Sequence, residues 1–294
     1  MSVDAVRPVF AVFGGLGNQL FQYSAGLYAE KIWGLPVDFH YFETAARASK
    51  NPRSLLLNRF SISKTIVPIS ALMRTVYYGS RLQASVPWVH ALLGFQVIRE
   101  QEPHSPDMRL FLKPSVPTFY FGYWQVKSYV DVVEKKLRED LVFDRHLSTS
   151  AQKVRDCIIQ RPLTVAVHVR RGDDAESGSG RRCLPIAYYE HAVTAYRRLS
   201  SDVRFFVFSD DSRWILQNTL FRSADMVVHE GSHALAHEDL FLMSLCTHQV
   251  IANSTLSWWA AWLNGHPDKQ VTMPPFWSQG EPVPPTLLLA DRSA

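Results

Sequence analysis

The sequence predicts an α/β protein made of two Rossmann-like domains that face a central cleft. Short apolar runs typical of buried parallel strands alternate with helical patterns of about 10–15 residues. This alternation starts twice, near the N-terminus and again near Gln160, and each first strand is followed by a polar turn. We therefore expect an N-terminal domain over residues 1–155 and a C-terminal domain over residues 156–294.

The elements of both domains follow from apolar runs and helical spacing. The expected strands are Pro8–Phe13, Val37–His40, Phe119–Gln125, Leu163–Val169, Val203–Phe208, Asp225–His229, His248–Ala252 and Lys269–Met273. The expected helices are Leu20–Gly34, Pro68–Leu82, Val130–Asp140, Pro185–Leu199, Arg213–Asn218, His237–Cys246 and Leu256–Gly265.

Composition narrows the class of protein. The 294 residues are 47% hydrophobic and 20% charged, which is typical of a globular protein. The three cysteines are odd in number and far apart, so they form neither a disulfide framework nor zinc spacing, and they favour a reducing compartment. The first residues do not resemble a secretory signal, and no apolar stretch reaches the ~20 residues of a membrane span. We expect a cytoplasmic protein.

The positive charge is concentrated in one segment. Ala45–Arg99 holds eight Lys or Arg and no Asp or Glu, whereas the rest of the chain holds 23 basic and 27 acidic residues. Basic residues interleaved with apolar ones predict an acidic partner surface, and anionic lipid headgroups fit that description. The alternative is a solvated surface without a partner. Nucleic acid is not expected as a partner.

Glycines separate the first strand from the first helix in the sequence GGLGN, Gly14–Asn18. Glycines at such a turn let the backbone approach a ligand closely, and a helix N-terminus favours negative or polar atoms. The stretch matches neither GxGxxG nor a Walker loop, because no Lys-Ser/Thr follows. A plain tight turn is the alternative.

Two arginines end the first strand of the second half. Arg170 and Arg171 are adjacent, so their side chains point to opposite faces. One guanidinium can then enter the site and bind a phosphate, while the other pairs with Asp173 or Asp174 and holds the loop. His168 shares the face of Arg170. The alternative is a structural ion pair beside a core histidine.

Two further polar clusters follow strands. Asp210 and Asp211 can hold ribose hydroxyls or the N–H groups of a guanine, although one of them can instead cap the following helix. Asn253, Ser254 and Thr255 cap a helix after a strand and form an anion-binding nest. Three tryptophans of that helix are expected in the core rather than on a sugar-binding face: Trp258, Trp259 and Trp262.

No metal site is expected. The aspartates at 210 and 211 are adjacent and their side chains diverge, unlike the D-x-D of metal-dependent glycosyltransferases. The stretch HEGSHALAH contains a glycine and lacks a sustained helical face of histidines. The polar clusters together indicate a nucleotide-sugar transferase or another nucleotide enzyme.

Several strings resemble the family 11 α-1,2-fucosyltransferases. These strings are GGLGNQLFQYSAGLYAE, HVRRGDD, FSDD with Trp214 shortly after, GYWQ followed by Tyr129, and EDLFLMSLCTHQVIANSTLSWWAAWL. The arginine string is shared with α-1,6 and protein O-fucosyl enzymes, whereas GGLGNQ and NSTLSWWAAWL are far more specific. The resemblance implies a GT-B fold, GDP-β-L-fucose as co-substrate, inversion at the anomeric carbon and no metal or other cofactor.

The resemblance also implies roles for individual residues. Arg170 and Asn18 are the implied catalytic residues, with Arg170 on the β-phosphate of the leaving GDP. Tyr123, Trp124 and Gln125 are implied on the acceptor side together with Glu43. The implied donor-binding residues are Gly14, Gly15, Gly17, His168, Arg170, Arg171, Asp173, Asp210, Asp211, Asn253, Ser254 and Thr255.

The implied acceptor is the 2-hydroxyl of a terminal galactose, in lipid-linked O-antigen or capsule repeats or a related oligosaccharide. In that setting the segment Ala45–Arg99 is expected to dock on the inner membrane face. Two alternatives stay open: a fucosyltransferase of another acceptor class, and a non-catalytic protein on the same fold that binds a nucleotide sugar or glycan.

Overall fold

The computed structural model describes residues 7–42, 53–69, 94–143, 146–172, 183–230, 233–277 and 281–289. The chain forms two compact units, Met1–Asp144 and Arg145–Ala294. Within the described ranges each unit contains a five-stranded sheet in which every pair of neighbouring strands is parallel. The predicted α/β class with two parallel sheets is confirmed.

The sheet of the first unit has the order β3-β2-β1-β5-β4. Its central strand β1 is buried at all four residues, and its continuous apolar run is typical of a parallel strand that is buried on both faces. The strands are β1 (Val9–Val12), β2 (Asp38–Tyr41), β3 (Ile66–Pro68), β4 (Gln96–Arg99) and β5 (Thr118–Phe121).

Helix α1 (Leu16–Trp33) follows β1 and is buried over most of its length. It ends at Gly34, which has the left-handed φ of 60° and donates its N–H to the Glu30 carbonyl at 3.0 Å. The helix begins four residues before the predicted start at Leu20, so Gly17 and Asn18 lie in its first turn. The unit also contains α2 (Lys127–Val132) and α3 (Glu134–Asp140).

The sheet of the second unit has the order β10-β9-β6-β7-β8. The central strand β6 is buried at all six residues. The strands are β6 (Thr164–Val169), β7 (Arg204–Ser209), β8 (Met226–Glu230), β9 (His248–Val250) and β10 (Val271–Thr272).

Among its described residues the second unit has five α-helices: α4 (Thr149–Ile159), α5 (Ile186–Leu199), α6 (Ser212–Gln217), α7 (Ala236–Leu245) and α8 (Thr255–Leu263). Helix α4 was not predicted, and the expected division after residue 155 cuts through it. The hydroxyl and N–H of Ser148, at the start of α4, each donate to the Glu238 carboxylate at 2.7 Å. Residues 145–155 therefore group with the C-terminal unit.

Three tryptophans of α8 lie in the core, as expected. Trp258 and Trp259 are fully buried and Trp262 is 5% exposed. Edge-to-face contacts at 5.2 Å join Trp258 to Trp259 and Trp259 to Trp262. The Trp258 indole N–H donates to the Leu287 carbonyl at 2.7 Å, so this helix is fixed from several sides.

Two edge strands, β3 and β4, were not predicted. Their residues are mostly half-buried or exposed, and each strand has only three or four residues. Short edge strands of this kind lack the continuous apolar run that marks a central strand. The predicted helix Pro68–Leu82 lies almost wholly outside the described residues.

Candidate functional site

The strand order reverses once in each sheet, and such points are where ligands bind in open parallel sheets. In the second unit β7 and β8 lie on one side of β6, whereas β9 and β10 lie on the other. The reversal therefore lies between β6 and β9. In the first unit it lies between β1 and β5. All of the predicted polar loops follow one of these strands or β7, which adjoins β6.

The structure brings the arginine and aspartate motifs of the second unit together. Strands β6 and β7 run in register from Thr164 and Arg204 to Val169 and Ser209, so both end at the same edge. Beyond that edge the Arg170 guanidinium donates to the Asp210 carboxylate. The N–H of Arg171 donates to the other oxygen of Asp210 at 2.9 Å. Asp210 thus holds both the side chain and the backbone of the arginine turn.

Arg171 is held by different groups. Its Nε lies 3.2 Å from the Asp211 carboxylate, and its guanidinium lies 4.2 Å from the centre of the Trp214 ring. The sequence predicted that this arginine pairs with Asp173 or Asp174, and both lie outside the described residues. The described partner of Arg171 is Asp211, which follows the neighbouring strand.

Asp211 also caps helix α6. Its second carboxylate oxygen accepts the N–H of Trp214 at 2.9 Å, which is the capping role considered for one of the two aspartates. Both oxygens of Asp211 and both oxygens of Asp210 therefore have protein partners in this structure. A nucleoside contact by either carboxylate has to be added to these bonds or replace one of them.

The electrostatics of the Asp210 carboxylate keep it ionised. Burial by itself raises the pKa of Asp210, but the charge of Arg170 and the N–H groups of Arg171 and Gly172 outweigh burial and lower the pKa. The ion pair with Arg170 is therefore present at neutral pH. It fixes the guanidinium at the carboxyl edge of the sheet.

Gly172 has no room for a side chain. Its φ is 30°, and a Cβ there would lie 2.5 Å from the Asp210 carboxylate and 2.9 Å from the guanidinium carbon of Arg170. The glycine of the RRGD string is thus required by close packing against the ion pair. Asp173, the next predicted donor-binding residue, lies outside the described residues.

His168 lies beneath the ion pair and is 6% exposed. Burial lowers its pKa to about 4, so the imidazole is neutral at pH 7. Among the described residues its Nδ1 has no hydrogen-bond partner. Both the core interpretation and the ligand-binding interpretation of this histidine are compatible with its position.

The sequence analysis did not predict a second pair of buried, interacting side chains, which is formed by His229 and Asp239. His168, Phe208 and His229 face one another across β6, β7 and β8. His229 Nε2 lies 3.2 Å from the carboxylate of Asp239, which burial gives a raised pKa. The sequence feature that could have indicated the His229–Asp239 pair is the adjacent Glu and Asp of the EDLFLMS string at the start of α7.

The NST stretch lies beside the arginine turn, because β9 neighbours β6 with Val167 opposite Val250. Ser254 is the N-cap of α8, and its hydroxyl accepts the N–H of Leu256 at 3.3 Å. The predicted cap is therefore present. Asn253 donates to the Trp277 carbonyl at 3.3 Å, and Thr255 begins the helix.

The first unit joins two predicted motifs at its own strand reversal. Gln125, which follows β5, donates its amide to the Asn18 side chain at 3.0 Å. Gly14 has a φ of 78°, and a Cβ there would lie 3.7 Å from the Tyr123 ring. Gly15 caps α1, and Gly17 is buried in its first turn. Only the first two glycines therefore belong to a loop.

Two buried glutamines that were not predicted hold these loops. Gln19 donates to the carbonyls of Gly14 and Ser54 at 2.8 Å each and accepts the N–H of Leu56 at 3.0 Å. Gln22 accepts the N–H of Phe13 at 2.9 Å and donates to the Gly122 carbonyl at 3.0 Å. The sequence feature that could have indicated them is the pair of amide side chains among the apolar residues in the first half of α1.

The acceptor-side residues differ in exposure. Tyr123 is 43% exposed, and its ring packs 5.2 Å from that of Phe13. Trp124 is only 1% exposed, so its indole belongs to the core and does not present a face to an acceptor, which corrects the expectation. Glu43 lies outside the described residues.

The described residues contain neither a cluster of metal ligands nor a membrane-spanning helix. No group of three or more His, Cys, Asp or Glu side chains in the described ranges is placed to hold a metal ion. No described helix has both the length and the apolarity to cross a bilayer. Much of the basic segment, residues 45–52 and 70–93, lies outside the described ranges.

Solved structures that resemble this chain include fucosyltransferases. The α-1,6-fucosyltransferase NodZ co-crystallised with GDP aligns over 89% of this chain and 93% of its own length, with a TM-score of 0.54 and 14% identity. An Arabidopsis thaliana FUT1 variant aligns over 92% of this chain and 71% of its own, with a TM-score of 0.53 and 12% identity. The fold is that of a GT-B glycosyltransferase.

Sequence comparison gives the particular family. The profile of glycosyl transferase family 11 matches residues 12–279, and the chain belongs to that family. The O-antigen biosynthesis glycosyltransferase WbnK of Escherichia coli is 30% identical, with 91% of this chain and 93% of that protein covered. An Escherichia coli α-1,2-colitosyltransferase is also 30% identical, with 89% of each covered. Rat galactoside α-(1,2)-fucosyltransferase 1 is 26% identical, with 86% and 62% covered.

Proposed function

We propose that this glycosyltransferase moves L-fucose from GDP-β-L-fucose to the 2-hydroxyl of a terminal galactose, with inversion and without a metal. The bond from fucose C1 to the diphosphate oxygen breaks, and a bond from C1 to the galactose oxygen forms. The proton of the hydroxyl leaves with GDP or passes to water. The acceptor belongs to an O-antigen, capsule or related oligosaccharide.

The observation that carries this proposal is the Arg170–Asp210 pair, in which Arg170 follows β6, a strand that borders the strand reversal of the second unit. Negative charge grows on the diphosphate as C1 departs, and a guanidinium already held in place stabilises it without reorganising. The Ser254 cap and the N-terminus of α8 follow the adjacent strand and offer N–H groups to the same diphosphate. Arg170 is accordingly the principal catalytic residue.

The other residues of the second unit that we assign to the donor lie at the same carboxyl edge of its sheet. His168 lies below Arg170 on the same face of the sheet and, together with Asp210 or Asp211, is assigned to the guanine or ribose. Arg171 braces the loop through Asp211 and Trp214. From the first unit, Asn18 and the Gly14 turn are assigned to fucose, with Tyr123 and Gln125 towards galactose.

The names of the relatives support the α-1,2 linkage more strongly than they support fucose as the transferred sugar. Two of them act in α-1,2 linkage, one transferring colitose and one acting on galactosides. Colitose is fucose without its 3-hydroxyl, so the two donors differ by a single polar group. Colitosyl transfer is therefore the second candidate function.

The proposal is tested with purified protein, EDTA and galactose-terminated acceptors, supplied in parallel with GDP-fucose and GDP-colitose. The expected result is efficient transfer from GDP-fucose to the galactose 2-hydroxyl, established by linkage analysis. A higher kcat/KM with GDP-colitose would move the assignment to the second candidate. Binding of GDP-fucose without transfer to any acceptor would contradict enzymatic fucosylation and favour a binding protein.

The place of action is also a proposal. We place the enzyme in the cytoplasm at the inner membrane face, where the basic segment Ala45–Arg99 meets anionic lipid and the acceptor is lipid-linked. The charge imbalance of that segment supports this placement.

A further inference from the structure

A strained turn lies at the strand reversal of the first unit. The turn Gly122–Gln125 follows β5, and within it Trp124 has a φ of 52°. A bulky residue rarely adopts positive φ, because its Cβ then crowds the backbone. Such strain persists only where neighbouring groups determine the conformation, and it is concentrated at functional sites.

The group that determines this turn is the carboxylate of Glu100. Glu100 directly follows β4, the neighbour of β5. One carboxylate oxygen accepts the N–H of Tyr123 at 2.7 Å, and the other accepts the N–H of Trp124 at 3.0 Å. A Cβ on Gly122 would lie 2.5 Å from the Glu100 Cβ, so the turn is folded tightly over this side chain.

The same turn carries the groups that face the first helix. Tyr123 presents a ring that is 43% exposed, beside Gly14. Gln125 donates to Asn18, the first-turn residue of α1. Trp124, between them, is buried and anchors the turn in the core. The positions of Tyr123 and Gln125 therefore depend on the backbone that Glu100 holds.

We infer that Glu100 is a positioning residue for the acceptor, which acts by holding Tyr123 and Gln125 in place. This inference rests on the proposed function, since it assigns the acceptor to that side of the site. Glu100 itself touches backbone N–H groups and does not need to contact a sugar.

The chemistry requires a carboxylate at this position. Both oxygens of Glu100 act as acceptors for backbone N–H groups. A glutamine has the same shape but offers one acceptor and one NH₂ donor, so one backbone N–H would face another donor. An aspartate keeps both acceptors but is one methylene shorter and cannot reach as far.

The experiment compares Glu100→Gln with Glu102→Gln, an exposed carboxylate two residues along the chain. We expect E100Q to lower kcat/KM for the acceptor roughly 10- to 100-fold, since misplacement by about 1 Å costs up to that much. The Kd of GDP, measured by calorimetry, is expected to stay within twofold. E102Q is expected to match wild type, and Glu100→Asp to lie between.

A double-mutant cycle separates positioning from general destabilisation. If Glu100 acts through the turn, Tyr123→Ala and E100Q are non-additive in acceptor kcat/KM. An unchanged acceptor kcat/KM in E100Q, or an equal loss of GDP affinity, would overturn the inference while leaving the proposed function intact. A wild-type protein that transfers no sugar would instead refute the proposed function.

Discussion

At the residue scale, the central feature is the pairing of Arg170 with Asp210. The sequence predicted that each of them follows a strand, since the motifs HVRRGDD and FSDD each end an apolar run. It did not predict that they pair with each other. Such pairing depends on rotamers and on strand register, which put Val169 opposite Ser209. The conformation of the arginine turn therefore depends on the residues that follow β7 as much as on β6, the strand that it ends.

Gly172→Ala is expected to displace the ion pair, because its Cβ would come within 3 Å of both partners. We predict at least a tenfold weaker Kd for GDP, in line with the loss of a charge-assisted contact of about 1.5–3 kcal/mol. Gly265→Ala is the matched control, since nothing lies within 4 Å of its Cβ. Equal GDP affinity in both variants would contradict the packing argument.

His168 predicts a specific pH dependence of stability. The unfolded chain protonates this imidazole near pH 6.5, whereas burial lowers its pKa to about 4 in the folded protein. The unfolded state therefore binds more protons between these values, and the free energy of unfolding falls as pH drops from about 6.5 towards 4. His168→Gln should show a shallower fall in urea denaturation.

Exposed His191 supplies the control for that measurement. His191→Gln is expected to keep the wild-type slope of unfolding free energy against pH. Identical slopes for H168Q and wild type would show that the imidazole is accessible to protons in the folded protein.

At the scale of elements, apolar runs predicted the central strands reliably, whereas the short edge strands were not predicted. β1, β6 and β7 were predicted within about two residues, because a central parallel strand is buried on both faces. β4 is half-exposed and does not carry that pattern. Helix α4 does carry an amphipathic pattern, since Ala151, Val154 and Ile158 are buried, and it was overlooked.

Elements also explain why Trp124 was misassigned. The acceptor-side role of Tyr123 and Trp124 was implied by the family resemblance of the string GYWQ, which does not distinguish one aromatic residue from its neighbour. The structure separates the two aromatics by exposure, with Tyr123 outward and Trp124 inward. Trp124 also has a positive φ of 52°, which sequence spacing alone does not reveal.

The cap of α8 gives a prediction at this scale. Ser254→Ala removes an N-cap hydroxyl and is expected to lower stability by about 1 kcal/mol. It should also weaken GDP binding, because the cap lies at the strand reversal. Ser148→Ala removes the equivalent cap of α4 and should lower stability without changing the Kd of GDP. Equal Kd values for both variants would place the diphosphate elsewhere.

At the scale of the whole molecule, the distribution of charge is uneven. Four of the eight basic residues in Ala45–Arg99 lie in the described ranges, and Lys64 among them pairs with Glu30 at 2.5 Å. Arg59 is exposed. The proposed membrane contact therefore depends on the remaining basic residues and on exposed ones such as Arg59.

Binding to anionic vesicles is predicted to fall steeply as salt rises, since each basic residue near such a surface contributes roughly 1 kcal/mol and salt screens that attraction. Vesicles of neutral lipid are expected to bind weakly at every salt concentration. Sedimentation of the protein with both kinds of vesicle measures this. Absence of binding to anionic vesicles at low salt would remove the membrane contact from the account.

The assignment of Arg170 to the leaving diphosphate is the central claim, and turnover of Arg170→Ala with GDP-fucose tests it most directly. Arg197→Ala is the control, because Arg197 pairs with Asp225 at 2.7 Å on the surface. We predict that Arg170→Ala loses at least 10²-fold in kcat, as expected for loss of a preorganised charge, while Arg197→Ala keeps wild-type turnover. A folded Arg170→Ala variant that retains a tenth of wild-type kcat would contradict the account.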